Sequence, residues 1–172
     1  MKSSVVVAKH PLHPMLIPIP IGAFLLTLIG DLAYAGTNNT FWYSFSTWTM
    51  GIGIIGGLLA AIPGLMDYLR VVPKGEAKRQ ATTHMVVNVS IVVLFALNLA
   101  LRLYTTASTG TNWWLSLTLT VIGNLALLYS GWLGGELVYR HHLGVEERGQ
   151  RETANLRVTM SPEEAERVQR RR

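Results

Sequence analysis

The side chains of this 172-residue chain that could ligate or titrate are few and far apart, yet they recur at matching places. His10 and His13 open the first apolar run inside "HPLHP"; Asp67 closes the second; His84 and Asn88 begin the third; Glu136, Tyr139, His141 and His142 close the fourth. Imidazole suits iron, copper and zinc, and mixed His/carboxylate sets suit non-haem iron or zinc. Two imidazoles facing each other across a bundle would instead suit haem b, and His13 with His84 is the best such pair. The candidate ligands are therefore His10, His13, Asp67, His84 and Glu136, with Asn88 and Tyr139 behind them. The chain has no cysteine, which excludes disulfides, thiolate metal sites and cysteine-ligated iron–sulfur clusters. No nucleophile stands beside a base, so hydrolase chemistry is disfavoured.

These residues become neighbours only if long elements bring them together. Hydrophobic residues make up 49% of the chain and charged residues 15%, well below the ~25% of soluble domains. No Asp, Glu, Lys or Arg occurs from His10 to Gly30, Leu32 to Met66, Gln80 to Leu101, or Leu103 to Gly135. A hydrocarbon core of ~30 Å takes ~20 residues of helix, so these runs read as membrane spans. The expected spans are Pro18–Ala35, Phe41–Tyr68, Thr83–Tyr104 and Trp113–Tyr139. Short polar connections such as "GTNNT" and "TASTGTN" make consecutive helices antiparallel neighbours. The fold class is thus all-α, an integral membrane four-helix antiparallel bundle over residues 1–146. Residues 147–172 form a short basic cytoplasmic tail, in which "SPEE" marks the start of a short helix through Ser161, Pro162 and Glu164. Trp42, Trp48, Trp113 and Trp114 sit where an interfacial aromatic belt is expected. His10 and His13, each followed by proline, are expected in an extended or broken lead-in to the first span.

Four spans put both termini on one side of the bilayer. Of 15 Lys and Arg residues, all but Arg102 fall on that side, so the termini and the middle loop are expected in the cytoplasm of a bacterial inner membrane. The net charge of +5 flanks apolar runs, which suits anionic lipid rather than nucleic acid. A cleaved leader ending near "AYAG" is disfavoured, because it would be too long and would carry prolines and Asp31.

Helical phase supports convergence. Gly53, Gly57, Ala60 and Gly64 form one small-residue stripe that Asp67 continues, and such stripes let membrane helices approach. His84, Asn88, Ile91, Phe95, Asn98 and Arg102 lie within about 40° of one line at ~100° per residue. Ionisable groups inside spans usually face the bundle interior. Gly123, Gly131, Gly134 and Gly135 are expected to leave room beside Glu136. At the other end, Asp31 and Arg102 read as a structural ion pair. The leading function is a metal or haem site at the cytoplasmic end supporting electron transfer, with a redox protein as partner there. A non-catalytic membrane subunit whose polar cluster only caps the bundle is the alternative. A small transporter has the stripe on the third span as its single support.

The stretches "HPLHPMLIPIPIGAF", "GLMDY", "HMVVN" and "GWLGGELVYRHHLGV" resemble, in that order, the motifs of an uncharacterised, domain-of-unknown-function family of bacterial predicted four-helix membrane proteins. The resemblance covers roughly residues 9–146. It implies that His10, His13, Asp67, His84, Asn88, Gly134, Gly135, Glu136 and Tyr139 are motif positions. Where the family pattern runs from its Tyr-Arg pair into Gly-Val-Gly-Val, this chain reads "HHLGV". Some relatives are fused to Rieske iron–sulfur domains, which implies a redox context, although this cysteine-free chain carries no such centre.

Overall fold

A computed structural model of the chain describes residues 3–8, 10–104 and 111–143; the expected tail helix lies outside them. A two-residue antiparallel ladder, β1 (Val6–Val7) with β2 (His10–Pro11), precedes five helices. These are α1 (Leu12–Leu16), α2 (Pro18–Thr37), α3 (Thr40–Arg70), α4 (Glu76–Tyr104) and α5 (Thr111–Tyr139). With α1 and α2 counted as one, four segments are long and apolar enough to cross a membrane: Leu12–Thr37, Thr40–Arg70, Glu76–Tyr104 and Trp113–Tyr139. The protein is a four-helix membrane bundle.

The prolines explain the first segment. Proline lacks an N–H, so it fits most readily where a helix has no partner for one, in its first turn. Pro11 caps α1 and Pro14 lies in its first turn. Pro18 and Pro20 sit in the first turn of α2, and the chain steps between the two helices at Ile17. The lead-in is extended at His10, in β2, and broken at Ile17, as expected; His13 itself lies in the short helix α1, where its carbonyl accepts from Ile17 N at 3.2 Å. Asn38 ends α2 in the left-handed region that asparagine tolerates, with φ 53°. Asn39 then caps α3 by accepting from Phe41 N at 3.0 Å.

The α3–α4 connection is tighter than charge alone suggested. Gly75, with φ +105°, turns the chain, and α4 starts at Glu76 rather than Thr83. Glu76, Lys78 and Arg79 belong to its first turn, not to a loop. The Lys78 ammonium donates to the Tyr68 carbonyl and sits 3.4 Å from that residue's ring centroid. The Tyr68 hydroxyl meets Thr82 at 2.9 Å.

Inside and outside are arranged for lipid. Leu25, Ile29, Ile55, Leu97 and Leu125 point outward, where lipid chains are as apolar as they are. The apolar core is small: Phe24, Met50, Ile91 and Phe95. Phe24 and Phe95 stack with centroids 3.9 Å apart and 6° between planes. They fit because α3 and α5 carry glycine opposite them. A Cβ at Gly53 would come 2.5 Å from Phe24, and one at Gly123 would come 2.7 Å from Phe95. Trp113 departs from the belt expectation: it is buried, edge-on to Tyr34 at 4.6 Å, whereas Trp48 and Trp114 are exposed.

Candidate functional site

At one end of the bundle, His13 on α1 packs against α3. Its Nδ1 is 2.8 Å from the Ala60 carbonyl oxygen. A carbonyl only accepts, so Nδ1 carries a proton, and in the neutral ring the lone pair is then on Nε2. Pro63, inside α3, withholds the N–H that Leu59 would have used and crowds this turn. Proline is tolerated within spans where a neighbour satisfies the disturbed carbonyls, and His13 does this for Ala60. The ring comes this close because residue 64 is glycine: an added Cβ would meet His13 Cε1 at 2.7 Å.

His84 repeats the arrangement between α4 and α5. Its Nδ1 is 3.0 Å from the Ser130 carbonyl, which again fixes the proton on Nδ1. A Cβ at Gly134 would meet His84 Cε1 at 3.1 Å. Asn88, one turn on, donates to the Ser130 hydroxyl at 2.6 Å and the His84 carbonyl at 2.8 Å, and its Nδ2 lies 3.2 Å from His84 Nε2.

The remaining candidates serve other partners. Asp67 accepts from Ser3 Oγ at 2.7 Å, Ser4 N at 2.6 Å and Ser4 Oγ at 2.7 Å, and so pins the N-terminal segment to the end of α3. His10 is exposed, with Nδ1 donating to Ala8 O at 2.8 Å. Glu136 is two residues beyond Gly134, about 200° round the helix at ~100° per residue, and so turns away from His84. It meets Arg140 at 3.6 Å, and Arg140 also reaches Glu76 at 3.5 Å. These line an open groove of about 440 Å³ with Arg79, Thr83 and Trp132. Tyr139 is 84% exposed. His141 donates to Gln80 Oε1 at 2.9 Å. Of the glycines expected beside Glu136, Gly123 and Gly134 face α4, while Gly131 and Gly135 meet open space. The five candidate ligands are thus not drawn into one cluster. Among the described residues, no group of three or more His, Cys, Asp or Glu is placed to hold a metal ion.

Towards the other end lies a buried polar network much larger than a single pair. Arg102 Nη2 donates to Asp31 Oδ2 at 2.5 Å, with both side chains 1% exposed or less. Its Nη1 donates to Ser46 Oγ at 2.6 Å and its Nε to Ser116 Oγ at 2.7 Å. Ser116 Oγ in turn donates to Asn98 Oδ1 at 2.6 Å, and Asn98 Nδ2 donates to Thr120 Oγ1 at 3.0 Å. Tyr43 presents its ring 5.6 Å from the guanidinium carbon. A charge in a membrane interior is tolerated when paired and hydrogen-bonded in this way. Two buried oxygens, Asp31 Oδ1 and Asn124 Oδ1, have no partner among the described residues. Ser46, Ser116, Thr120 and Asn124 were not among the candidate residues. The last three recur every four residues on α5, which was the available signal.

A family model described as "Predicted membrane protein (DUF2231)" matches residues 9–147. The chain matches no curated protein and no solved structure.

Proposed function

We propose, from the premise that the chain belongs to the DUF2231 family of predicted membrane proteins, that it is an electron-transfer protein of a bacterial inner membrane whose His13 and His84 take haem b. The observation that supports this is the matched state of the two imidazoles. Each has its Nδ1 proton committed to a backbone carbonyl of the adjacent helix, 2.8 Å away for His13 and 3.0 Å for His84. Each keeps Nε2 as the ligating nitrogen. A metal-binding histidine is oriented and made more basic by such a bond on its other nitrogen.

The donor set favours haem over a lone iron, copper or zinc ion. A protein-held ion takes three or four ligands, whereas haem needs two axial ones. Haem held by two imidazoles carries one electron at a time. The chain's own residues fix ring orientation through Ala60 and Ser130. Asn88 keeps its two shorter bonds and yields its contact with His84 Nε2. The excess of Lys and Arg on the histidine side supports placing that end, both termini and a redox partner in the cytoplasm.

The test is an optical spectrum of detergent-purified protein from haem-supplemented cells. A Soret band that His13→Ala and His84→Ala each abolish is the expected result. No Soret band in the unmodified protein, with no metal by elemental analysis, would sink the proposal.

A second reading has its own support. His13 satisfies a carbonyl beside Pro63, and Asp67 is fully engaged with Ser3 and Ser4. A non-catalytic membrane subunit with a structural polar cap needs no more than that. It predicts that His13→Ala lowers thermal stability while the optical spectrum is featureless in both proteins.

A further inference from the structure

The bundle carries a repeat. A shift of 71 residues, the separation of Asp31 and Arg102, takes His13 to His84, Phe24 to Phe95 and Thr27 to Asn98. A shift one residue smaller takes Ser46 to Ser116, Gly53 to Gly123 and Gly64 to Gly134. The related residues share more than position. Each histidine donates Nδ1–H to a carbonyl four residues before a glycine that it packs on. Each phenylalanine rests on the equivalent glycine of its own hairpin. Burial follows the same shift: Pro20, Phe24, Thr27 and Asp31 are buried on α2, and Ile91, Phe95, Asn98 and Arg102 on α4.

Contacts between the halves obey the same exchange. The second helix of each hairpin packs on the first helix of the other, α3 on α4 and α5 on α2. Equivalent residues meet along the line between them: Phe24 stacks on Phe95, and Asp31 pairs with Arg102. The two equivalent serines, Ser46 and Ser116, both accept from the same guanidinium.

We infer that the chain is two copies of one helical hairpin, related by a pseudo-two-fold axis along the membrane normal, and that Asp31 and Arg102 make their shared interface selective for unlike halves. Because α2 and α4 run in the same direction, the copies are parallel repeats. A hairpin pairing with its own kind would bury two carboxylates or two guanidiniums on the axis, without water to screen them. The unlike pair instead neutralises itself, with Arg102 taking one serine from each hairpin, Ser46 and Ser116. The inference does not depend on any ligand at the histidines.

The test is charge exchange in the full chain, read as thermal midpoint and monodispersity in detergent. Asp31→Arg and Arg102→Asp alone are expected to lower Tm by about 10 °C or to leave no folded protein. Combined, they are expected to recover at least about half of that loss, because the exchanged charges still face each other across the same two helices. A double variant no better than the singles overturns the inference, as do single variants without effect. Gly53→Ala and Gly123→Ala give a reading free of charge. Their Tm losses agree within a factor of about two if the hairpins are equivalent. One silent and one unfolding substitution would overturn the equivalence.

Discussion

Phe24 and Phe95 lie parallel, 3.9 Å between centroids and 6° between planes, with a glycine behind each ring. The two rings are the bulk of the apolar core and join helices that are not neighbours in sequence. Truncating either to alanine is expected to cost about 3–5 kcal/mol, the range for a buried phenylalanine. The double variant should cost less than the sum by about 0.5–1.5 kcal/mol, because each single change already removes the stack. A double-mutant cycle from detergent unfolding checks this; strict additivity would mean that the rings are not coupled.

The Asp31–Arg102 pair joins α2 to α4 and is held by hydroxyls on α3 and α5. Arg102→Gln removes the positive charge and leaves the Asp31 carboxylate buried without it. A cost of about 3–5 kcal/mol is expected, as for other broken buried pairs. Asp31→Asn combined with Arg102→Gln should be milder than Arg102→Gln alone, since no uncompensated charge remains. Thermal midpoints of the two variants decide the order.

Much of the fold was readable because it rests on two crude quantities, run length and charge placement. Uninterrupted apolar runs gave four spans, and the stripe from His84 to Arg102 gave the inner face of α4. What was hidden has specific causes. Charges at Glu76, Lys78 and Arg79 masked two turns of helix, since hydropathy cannot separate a wet helix end from a loop. Ser116, Thr120 and Asn124 were passed over because Ser and Thr in a span also bond simply to their own backbone. Exposed Thr118 does so, donating to Trp114 O at 2.8 Å. Ser3 and Ser4 precede any periodic segment, so nothing in the pattern linked them to Asp67. The convergence expected at the histidine end failed for Glu136 because two residues of helix separate it from Gly134, enough to turn it to another face.

Asp67 accepts three hydrogen bonds from Ser3 and Ser4, and hydrogen bonds to a charged group contribute about 1.5–3 kcal/mol. Asp67→Ala should therefore free the segment Ser3–Ala8 while leaving the bundle intact. Asp67→Asn should fall between, because its single carbonyl oxygen has fewer acceptor sites than a carboxylate. Hydrogen exchange at Ser4 and Val5 is expected to rise from wild type through Asn to Ala. Unchanged exchange in the alanine variant would show that the segment is held by something else.

The two histidines offer the sharpest comparison, because the same arrangement occurs with different tightness. A Cβ at Gly64 would sit 2.7 Å from His13 Cε1 and 2.8 Å from its Nδ1. The ring cannot retreat without losing the Ala60 carbonyl, and that carbonyl lies beside the Pro63 disturbance. A Cβ at Gly134 would sit 3.1 Å from His84 Cε1 and 3.7 Å from Nδ1, so a shift of a few tenths of an ångström suffices. Gly64→Ala is expected to cost about 1–3 kcal/mol, the usual range for overpacking, and Gly134→Ala less, though within a factor of about two. Thermal midpoints measure the order. The optical spectrum of the same two variants separates the functional readings. If both imidazoles hold haem b, Gly64→Ala also diminishes the Soret band and Gly134→Ala perturbs it less. If the histidines only cap the bundle, stability falls in the same order and neither variant nor parent shows the band.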